Sequence, residues 1–369
     1  MSVKILHIYK DYYPVLGGME NHIKVLAEAL AERGYEVTVL VTHPTARTHI
    51  EEINGVRVIK AGRLATVAST PISISLPLLL RKQHPDIAHL HFPYPVGELS
   101  NLLLGRAPHT VITYQSDVVR QRGLLRLYRP LMWRVLNRAD RIIATSPAYI
   151  ESSPFLSKLR RKCTVIPLGL PLARFLHASP EGVQRIRDTY GAPLLLFVGR
   201  LRYYKGLQYL LQAMPNLPCK LLVVGSGPME AEWRQLAASL GLAARVTFLG
   251  EISDEDLPTY YHASDVFVLP AGERSEAYGL VQVEAMASAL PVVCTELGTG
   301  TSYVNVHGET GLVVPPRDAD ALQKAIVSLI GDEELRQAMG QRGRQRALRE
   351  FSLPLMVDRV ASLYEVLSS

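Results

Sequence analysis

The sequence predicts an α/β protein built from two doubly wound domains. Three observations carry that reading: short apolar runs alternate with amphipathic stretches, glycine and proline punctuate the joins, and the alternation restarts after a Pro/Gly-rich segment at 167–171. Residues 3–9 read as a strand, 20–32 as a helix and 36–42 as a second strand, with Gly34 where a helix-ending glycine belongs. Strands follow at 56–60, 87–91, 110–114, 141–145 and 163–167. Strand and helix in alternation argue for a parallel sheet with helices on both faces.

After the break, strands are expected at 194–199, 220–225, 245–249, 266–270, 291–295 and 311–314, with helices at 207–213, 229–240 and 280–288 between them. The tail at 353–367 reads as one more amphipathic helix. Sheets of this kind bind ligands at the carboxyl ends of their strands, so a cleft between the two domains is the expected active site.

Composition narrows the class. A chain of 369 residues, 48% hydrophobic and 20% charged, is long enough for sizeable cores and excludes a disordered, collagenous or disulfide-stapled protein. Cys163, Cys219 and Cys294 form no C-x-x-C pair and read as structural thiols of a reducing cytoplasm. The opening strand carries no signal peptide pattern. The charge-free stretch 64–80 holds Pro71, Pro77 and five hydroxyl residues, which reads as a loop and a buried helix, not a membrane span. The net charge of +6 and the pI of about 9.1 admit nucleic acid, an anionic membrane or a phosphorylated substrate without choosing among them.

Four constellations carry chemistry. Gly17 and Gly18 follow the first strand and precede a helix, where bare backbone N–H groups can approach a phosphate or a sugar; a flexible turn explains them equally well. In Gly199-Arg200-Leu201-Arg202-Tyr203-Tyr204-Lys205-Gly206, cations follow a strand end and precede a helix, an anion site suited to a diphosphate. No Ser or Thr follows Lys205, so this is no Walker A loop. Gly225-Ser226-Gly227 is half of a dinucleotide fingerprint and fits a tight strand–helix turn as well. The strongest signal is Glu276-Ala277-Tyr278-Gly279-Leu280-Val281-Gln282-Val283-Glu284. Eight helical steps of ~100° leave its two carboxylates ~80° apart, so both face one cavity if Glu276 lies in the preceding loop. Paired carboxylates suit sugar and ribose hydroxyls, which donate hydrogen bonds.

These fragments, with Glu309-Thr310-Gly311-Leu312-Val313-Val314-Pro315-Pro316, resemble the retaining GT-B glycosyltransferases that carry the E-x(7)-E motif (glycosyltransferase family 4 type), over nearly the whole chain. Residues 202–206 and 298–305 resemble in particular mannosyltransferases that use GDP-mannose to build bacterial surface polysaccharides. The resemblance implies a GT-B fold, with an N-terminal acceptor domain over 1–168 completed by the helix at 353–369 and a C-terminal donor domain over 169–352. It implies that Arg200 and Lys205 hold the donor diphosphate, that Glu284 accepts from the ribose and that Glu276 contacts the transferred sugar. Gly279, Leu280 and Val281 would hold phosphate and sugar through their N–H groups, and Gly17 and Gly18 would close over the diphosphate. The implied chemistry is front-face transfer of a hexose, most readily mannose, to a sugar hydroxyl of a glycan or lipid-linked glycan. A nucleotide-diphosphate sugar is the donor substrate, and no cofactor or metal is expected. The runner-up readings are a UDP-sugar-dependent glucosyl- or N-acetylhexosaminyltransferase and a sugar-nucleotide epimerase of the same fold.

One position departs from the family pattern. Where the family has His at a strand end, this chain has Gln115, followed at 117 by Asp117. Gln can donate or accept a hydrogen bond but carries neither a proton nor a charge. Asp117 fits a sugar-hydroxyl contact or a strand-end cap. His89 and His91 share one face of a strand and are expected to meet acceptor hydroxyls at its end, without metal. Asp254-Glu255-Asp256 reads as a helix's first turn capped by Ser253. Seven arginines from Arg120 to Arg141 include Arg122, Arg126 and Arg129, with Leu124, Leu127, Leu131 and Val135 at helical spacing. The segment reads either as a solvated basic helix or as a surface for anionic lipid, placing the protein in the cytoplasm, peripheral to the inner face of the plasma membrane. No recognised nucleic-acid module accompanies the charge, so nucleic acid is not expected as a partner.

Overall fold

In a computed structural model, the chain forms two compact units, Met1–Leu170 with Leu353–Ser369, and Pro171–Ser352. The structure describes residues 2–15, 17–67, 70–117 and 122–369, with the backbone alone at 122–127.

The first unit contains strands β1 (Lys4–Ile8), β2 (Glu36–His43), β3 (His49–Ile53), β4 (Val56–Gly62), β5 (Ala65–Val67), β6 (Thr70–Ile72), β7 (Ile87–Phe92), β8 (His109–Tyr114), β9 (Arg141–Ala144) and β10 (Cys163–Val165). Eight of them form one sheet in the order β10-β9-β8-β7-β1-β2-β4-β3. Every pairing in it is parallel except β3 against β4. The sequence reading missed β3 because its pattern His-Ile-Glu-Glu-Ile is largely exposed; charge on an edge strand discourages pairing with another chain. Helices α1 (Gly18–Glu32), α2 (Ser75–Arg81), α3 (Pro95–Leu104), α4 (Arg122–Arg138) and α5 (Pro147–Ser152) join the strands, and the chain's last helix, α14 (Leu353–Ser368), packs against α1. The stretch at 64–80 is a separate β5–β6 hairpin followed by α2, which buries Leu76 and Leu80 but exposes Leu78.

Strand β7 lies inside the sheet and is buried along its whole length. His89 and His91 therefore sit in the core rather than at a hydroxyl-binding strand end, which corrects the sequence expectation. His7 Nδ1 and His91 Nε2 share a hydrogen bond of 3.0 Å, while His89 meets the Tyr364 hydroxyl at 2.5 Å and the Thr113 hydroxyl at 2.6 Å. One nitrogen from each of these three rings lies within 4.8 Å of the others. His22 of α1 stands edge-on to His91 at 5.8 Å.

The second unit contains β11 (Leu194–Val198), β12 (Lys220–Val224), β13 (Val246–Gly250), β14 (Val266–Leu269), β15 (Val292–Thr295) and β16 (Gly311–Val314), all parallel, in the order β13-β12-β11-β14-β15-β16. Its helices are α6 (Pro180–Tyr190), α7 (Leu207–Ala213), α8 (Glu230–Ser239), α9 (Leu257–Ala263), α10 (Leu280–Ala287), α11 (Thr301–Val304), α12 (Ala319–Gly331) and α13 (Glu333–Glu350). Asp318 and Asp332 cap α12 and α13 by accepting from the N–H groups of Ala321 and Leu335. The direction of winding reverses between β11 and β14, and open α/β sheets bind ligands at that switch point.

Burial holds His7 down at about 3 and His22 at about 4, and holds His89 and His91 well below the ordinary histidine value. All four are neutral in the fold and protonate in the unfolded chain below pH ~6.5. Their contribution is thus intact above that pH and is lost as pH falls from about 6.5 toward 4, at up to ~1.4 kcal/mol per pH unit for each group. A Trp233→Phe variant leaves Trp133 as the tryptophan reporting on the first unit. Its urea midpoint is expected to drop steeply between pH 7 and pH 5; a flat profile would contradict the burial argument.

Candidate active site

The switch point brings two loops together. After β11 the chain passes through a short turn (Tyr203–Lys205) to Gly206, which starts α7 in the left-handed region at φ 69°. A Cβ at Gly206 would lie 2.1 Å from the Pro270 carbonyl oxygen, so only glycine lets this loop rest on the loop that follows β14. Across that contact Lys205 Nζ meets Glu276 Oε2 at 2.7 Å, with both side chains about nine-tenths covered. Burial works against the Lys205 charge, but Glu276 and the neighbouring groups outweigh it and hold the ammonium above its ordinary pKa. Glu284 contributes to the same field.

Glu276 lies in the loop, fixed by the Thr299 hydroxyl, which donates to its carbonyl at 2.9 Å. Gly279 ends the loop at φ 77° and caps α10. A Cβ there would lie 2.6 Å from Gln282 Nε2 and 2.7 Å from Leu269 Cδ2. Leu280 and Val281 open the helix, where backbone N–H groups lack partners within the helix and the dipole favours an anion. Glu284 stands one turn further on. The Tyr261 hydroxyl of α9 donates to its Oε2 at 2.7 Å, but burial outweighs that bond and pushes the carboxyl up to about 7. The motif thus sets a carboxylate paired with a lysine beside a carboxyl held by a neutral hydroxyl.

Arg200 follows β11, exposed and without a carboxylate partner among the described residues. In the first unit, Gly17 is the extended residue before α1, which starts at Gly18, two residues earlier than the periodicity suggests. Gln115 follows β8 and is buried, and its Nε2 has no partner among the described residues. Asp117 is held more firmly: its Oδ1 accepts from the hydroxyls of Tyr114 and Ser153, both at 2.8 Å.

Three supports escaped the sequence reading. Tyr261 holds Glu284, Thr299 holds the Glu276 loop, and Arg274 Nη1 donates to the carbonyls of Leu297 and Gly298 at 3.0 Å. Their only signal is position: all lie within some 25 residues of Glu276, yet each acts from a different element. The acidic run at 254–256 forms a turn just before α9 instead of its first turn, with Ser253 Oγ accepting from the Asp256 N–H and Asp254 pairing with Arg174 at 3.1 Å. On α4, Arg129, Arg134 and Arg138 are exposed, whereas Arg141 opens β9. Arg120 and the side chains of Arg122, Leu124, Arg126 and Leu127 lie outside the described residues.

Two family profiles match the chain, Glycosyltransferase Family 4 over residues 16–174 and Glycosyl transferases group 1 over residues 184–346. O-antigen chain mannosyltransferase C of Escherichia coli is 38% identical over 99% of this chain and 99% of its own length. D-rhamnosyltransferase WbpZ of Pseudomonas aeruginosa is 37% identical over 95% of this chain and 92% of its own length. Among solved structures, sucrose-phosphate synthase of Thermosynechococcus elongatus superposes with a TM-score of 0.81 at 27% identity, covering 99% of each chain.

The geometry at Glu284 makes a direct prediction. Its carboxyl should titrate near 7, read from the side-chain carbonyl ¹³C shift, rather than near the ordinary carboxylate value. Tyr261→Phe removes a donor that favours the charged form and should move the midpoint upward. An ordinary midpoint in the parent, or a downward move in the variant, contradicts the assignment.

Proposed function

The chain belongs to the GT-B glycosyltransferases of the group 1 and family 4 type, and from that premise we propose that it transfers mannose from GDP-mannose, with retention, to a sugar hydroxyl of a glycan or lipid-linked glycan acceptor in surface-polysaccharide synthesis. The observation that carries the reading is the Lys205–Glu276 pair at the switch point with Glu284 behind it. The mannose assignment draws on the 38% identity to the E. coli mannosyltransferase and on the resemblance of residues 202–206 and 298–305 to mannosyltransferases.

In this reading Arg200 and Lys205 take the donor diphosphate, and the N–H groups of Gly279, Leu280 and Val281 add a second set of anion donors. Charge developing on the leaving phosphate is balanced by groups already in place, so the reading assigns no metal or other cofactor. Glu284 accepts from the ribose hydroxyls and Glu276 from the transferred sugar. Transfer is front-face: the acceptor oxygen bonds to the anomeric carbon as the glycosyl–phosphate bond breaks, and the acceptor's proton passes to the leaving phosphate oxygen. Gly17 and Gly18 remain assigned to the diphosphate, and Gln115 and Asp117 to sugar hydroxyls. No helix among the described residues is long and apolar enough to cross a membrane. For a lipid-linked acceptor we place the protein on the cytoplasmic face of an anionic membrane, which the exposed arginines of α4 support.

A second reading concerns the sugar alone. The P. aeruginosa D-rhamnosyltransferase is nearly as similar, and D-rhamnose is mannose without its 6-hydroxyl. Incubation with GDP-mannose, GDP-D-rhamnose and UDP-sugars, followed by NMR of the released nucleotide and the new linkage, decides between them. Turnover of a UDP-sugar alone, or of no donor, overturns the proposal.

Removing either cation should show in rate. Arg200→Ala and Lys205→Ala are expected to lower transfer by about a hundredfold or more, the size of lost charge stabilisation. The two glutamates should separate: Glu284→Gln weakens binding of the free nucleotide diphosphate in calorimetry, whereas Glu276→Gln spares it and damages transfer. Equal losses of nucleotide affinity would refute that division.

Gln115 offers a pH test. Gln115→Ala should lower the transfer rate more than nucleotide affinity. Gln115→His should stay active and gain a rate step between about pH 6 and 7 that the parent lacks, because imidazole titrates there. A parent already showing that step assigns it to another group, and full activity in Gln115→Ala removes the residue from the site.

A further inference from the structure

We propose that Glu98 is a positioning residue for transfer. From inside the first unit its carboxyl joins the chain leaving β7 to α4, the helix that follows Gln115 and Asp117, and so sets the carboxyl edge of the sheet where the acceptor docks. This role rests on the function proposed above, with the first unit taking the acceptor.

Glu98 lies in the first turn of α3 and is 1% exposed. Its Oε1 accepts from the Tyr94 N–H at 2.5 Å, and its Oε2 accepts from the Tyr128 hydroxyl of α4. Among the described residues no ammonium or guanidinium pairs with it, and burial drives the carboxyl up to about 7 against the pull of both hydrogen bonds. A buried carboxyl without a cation is costly, so packing alone would be better met by leucine. Holding the start of α3 does not explain the residue either. A helix-start carboxylate works at the surface, where water satisfies its second oxygen; here the second oxygen goes to a different helix. Both contacts survive either protonation state. The carboxylate accepts twice, and the neutral acid accepts from Tyr94 while its own O–H donates to the Tyr128 oxygen.

The two tyrosines carry that grip to the sheet edge. Tyr94 is buried just beyond β7. Its ring lies against Gly97, where a Cβ would come within 2.6 Å of Tyr94 Cδ1 and 2.9 Å of Cγ2 of Ile8, the last residue of β1. The same ring stands edge-on to Tyr9 at 6.4 Å, and its hydroxyl donates to the Pro71 carbonyl at 3.4 Å. The phenol feels the charges of Asp11 and Arg63, an ion pair just beyond β1 and β4 whose side chains are 16% and 17% exposed. The ends of β7 and β8 are joined to each other as well. The Gln115 N–H donates to the Phe92 carbonyl at 3.3 Å, and the Phe92 and Tyr114 rings stack at 4.4 Å. Glu98 thus fixes Tyr94 relative to α4, and between Tyr94 and Tyr128 in the chain lie Gln115 and Asp117, the groups assigned to sugar hydroxyls. A shift of the chain beyond β7 would reach the Gln115 amide through Phe92. Glu98 itself is covered and acts through these neighbours.

The test is the transfer kinetics of the full chain, with the donor identified above and octyl α-mannoside as acceptor, beside calorimetry with the donor's nucleotide diphosphate. Glu98→Leu should raise KM for the mannoside about tenfold or more, because losing a distant support misplaces the bound group. Donor hydrolysis by water and nucleotide affinity should stay at the parent values. Tyr128→Phe keeps the ring and removes one bond, so it should give a smaller rise in the same KM. Glu98→Gln should keep the parent KM, since its amide oxygen accepts from Tyr94 and its NH₂ donates to the Tyr128 oxygen. Equal losses of acceptor KM, donor hydrolysis and nucleotide affinity in Glu98→Leu would mark general loosening and overturn the proposal. An unchanged KM in Tyr128→Phe overturns it too, and that variant decides the matter should Glu98→Leu fail to fold. Glu98→Gln as impaired as Glu98→Leu would make the charge itself the requirement and equally overturn the role. A parent that leaves the mannoside untouched overturns the acceptor reading and this role with it. A parent that uses the mannoside, with Glu98→Leu unaltered, leaves the function standing and removes Glu98.

Discussion

The buried pairing of Lys205 with Glu276 is the constraint around which the second unit is arranged. Taking two charges out of water is expensive, and removing one partner leaves the other uncompensated. The surrounding backbone is accordingly over-determined. Gly206 lets the two loops touch, Thr299 pins the Glu276 carbonyl, and Arg274 ties down the segment from which Thr299 projects. None of these contacts could form unless β11 and β14 were neighbours, which is the reversal of winding at the centre of the sheet. Fold and site are one arrangement here, because adjacent parallel strands deliver their carboxyl-end loops to the same place.

The two glutamates of the motif meet different partners. Glu276 has a lysine, whose full charge compensates its own; Glu284 has a tyrosine hydroxyl, which offers one hydrogen bond and no charge. Burial displaces the Glu284 carboxyl upward despite that bond. Two carboxyls eight residues apart therefore have unlike partners, one an ammonium and the other a neutral hydroxyl, each supplied by another element.

The parts of this molecule legible in its sequence are those that depend on local pattern. The alternation of apolar runs located nearly every parallel strand, because strands buried on both faces are continuously apolar. The spacing from Glu276 to Glu284 was readable because one helix and its leading loop carry both. The gaps have physical causes. Helix α13 is polar nearly all round and is held by arginines such as Arg346, which donates to the carbonyls of Tyr303 and Val304, so it shows no apolar stripe. His89 and His91 were rightly placed on one face, but whether that face meets solvent depends on β7 being interior and on α14 arriving from the far end of the chain. Tyr261, Thr299 and Arg274 act on groups in other elements, and no periodicity reports a contact of that kind.

The last helix belongs to the first unit, and the order of synthesis gives this a consequence. The Leu353 N–H donates to the Leu170 carbonyl at 2.9 Å, beside the point where the chain leaves that unit, and Tyr364 then reaches His89 in its core. Domains commonly fold as they emerge, the N-terminal one first. Here the first unit has all its strands early, but the helix that reaches its His89 leaves the ribosome only after the whole second unit. The second unit, complete at Ser352, can close while the first still waits with an open core. For a nascent chain the unit begun first is the one finished last, and during that interval a chaperone would find its exposed apolar surface on the sheet of the first unit.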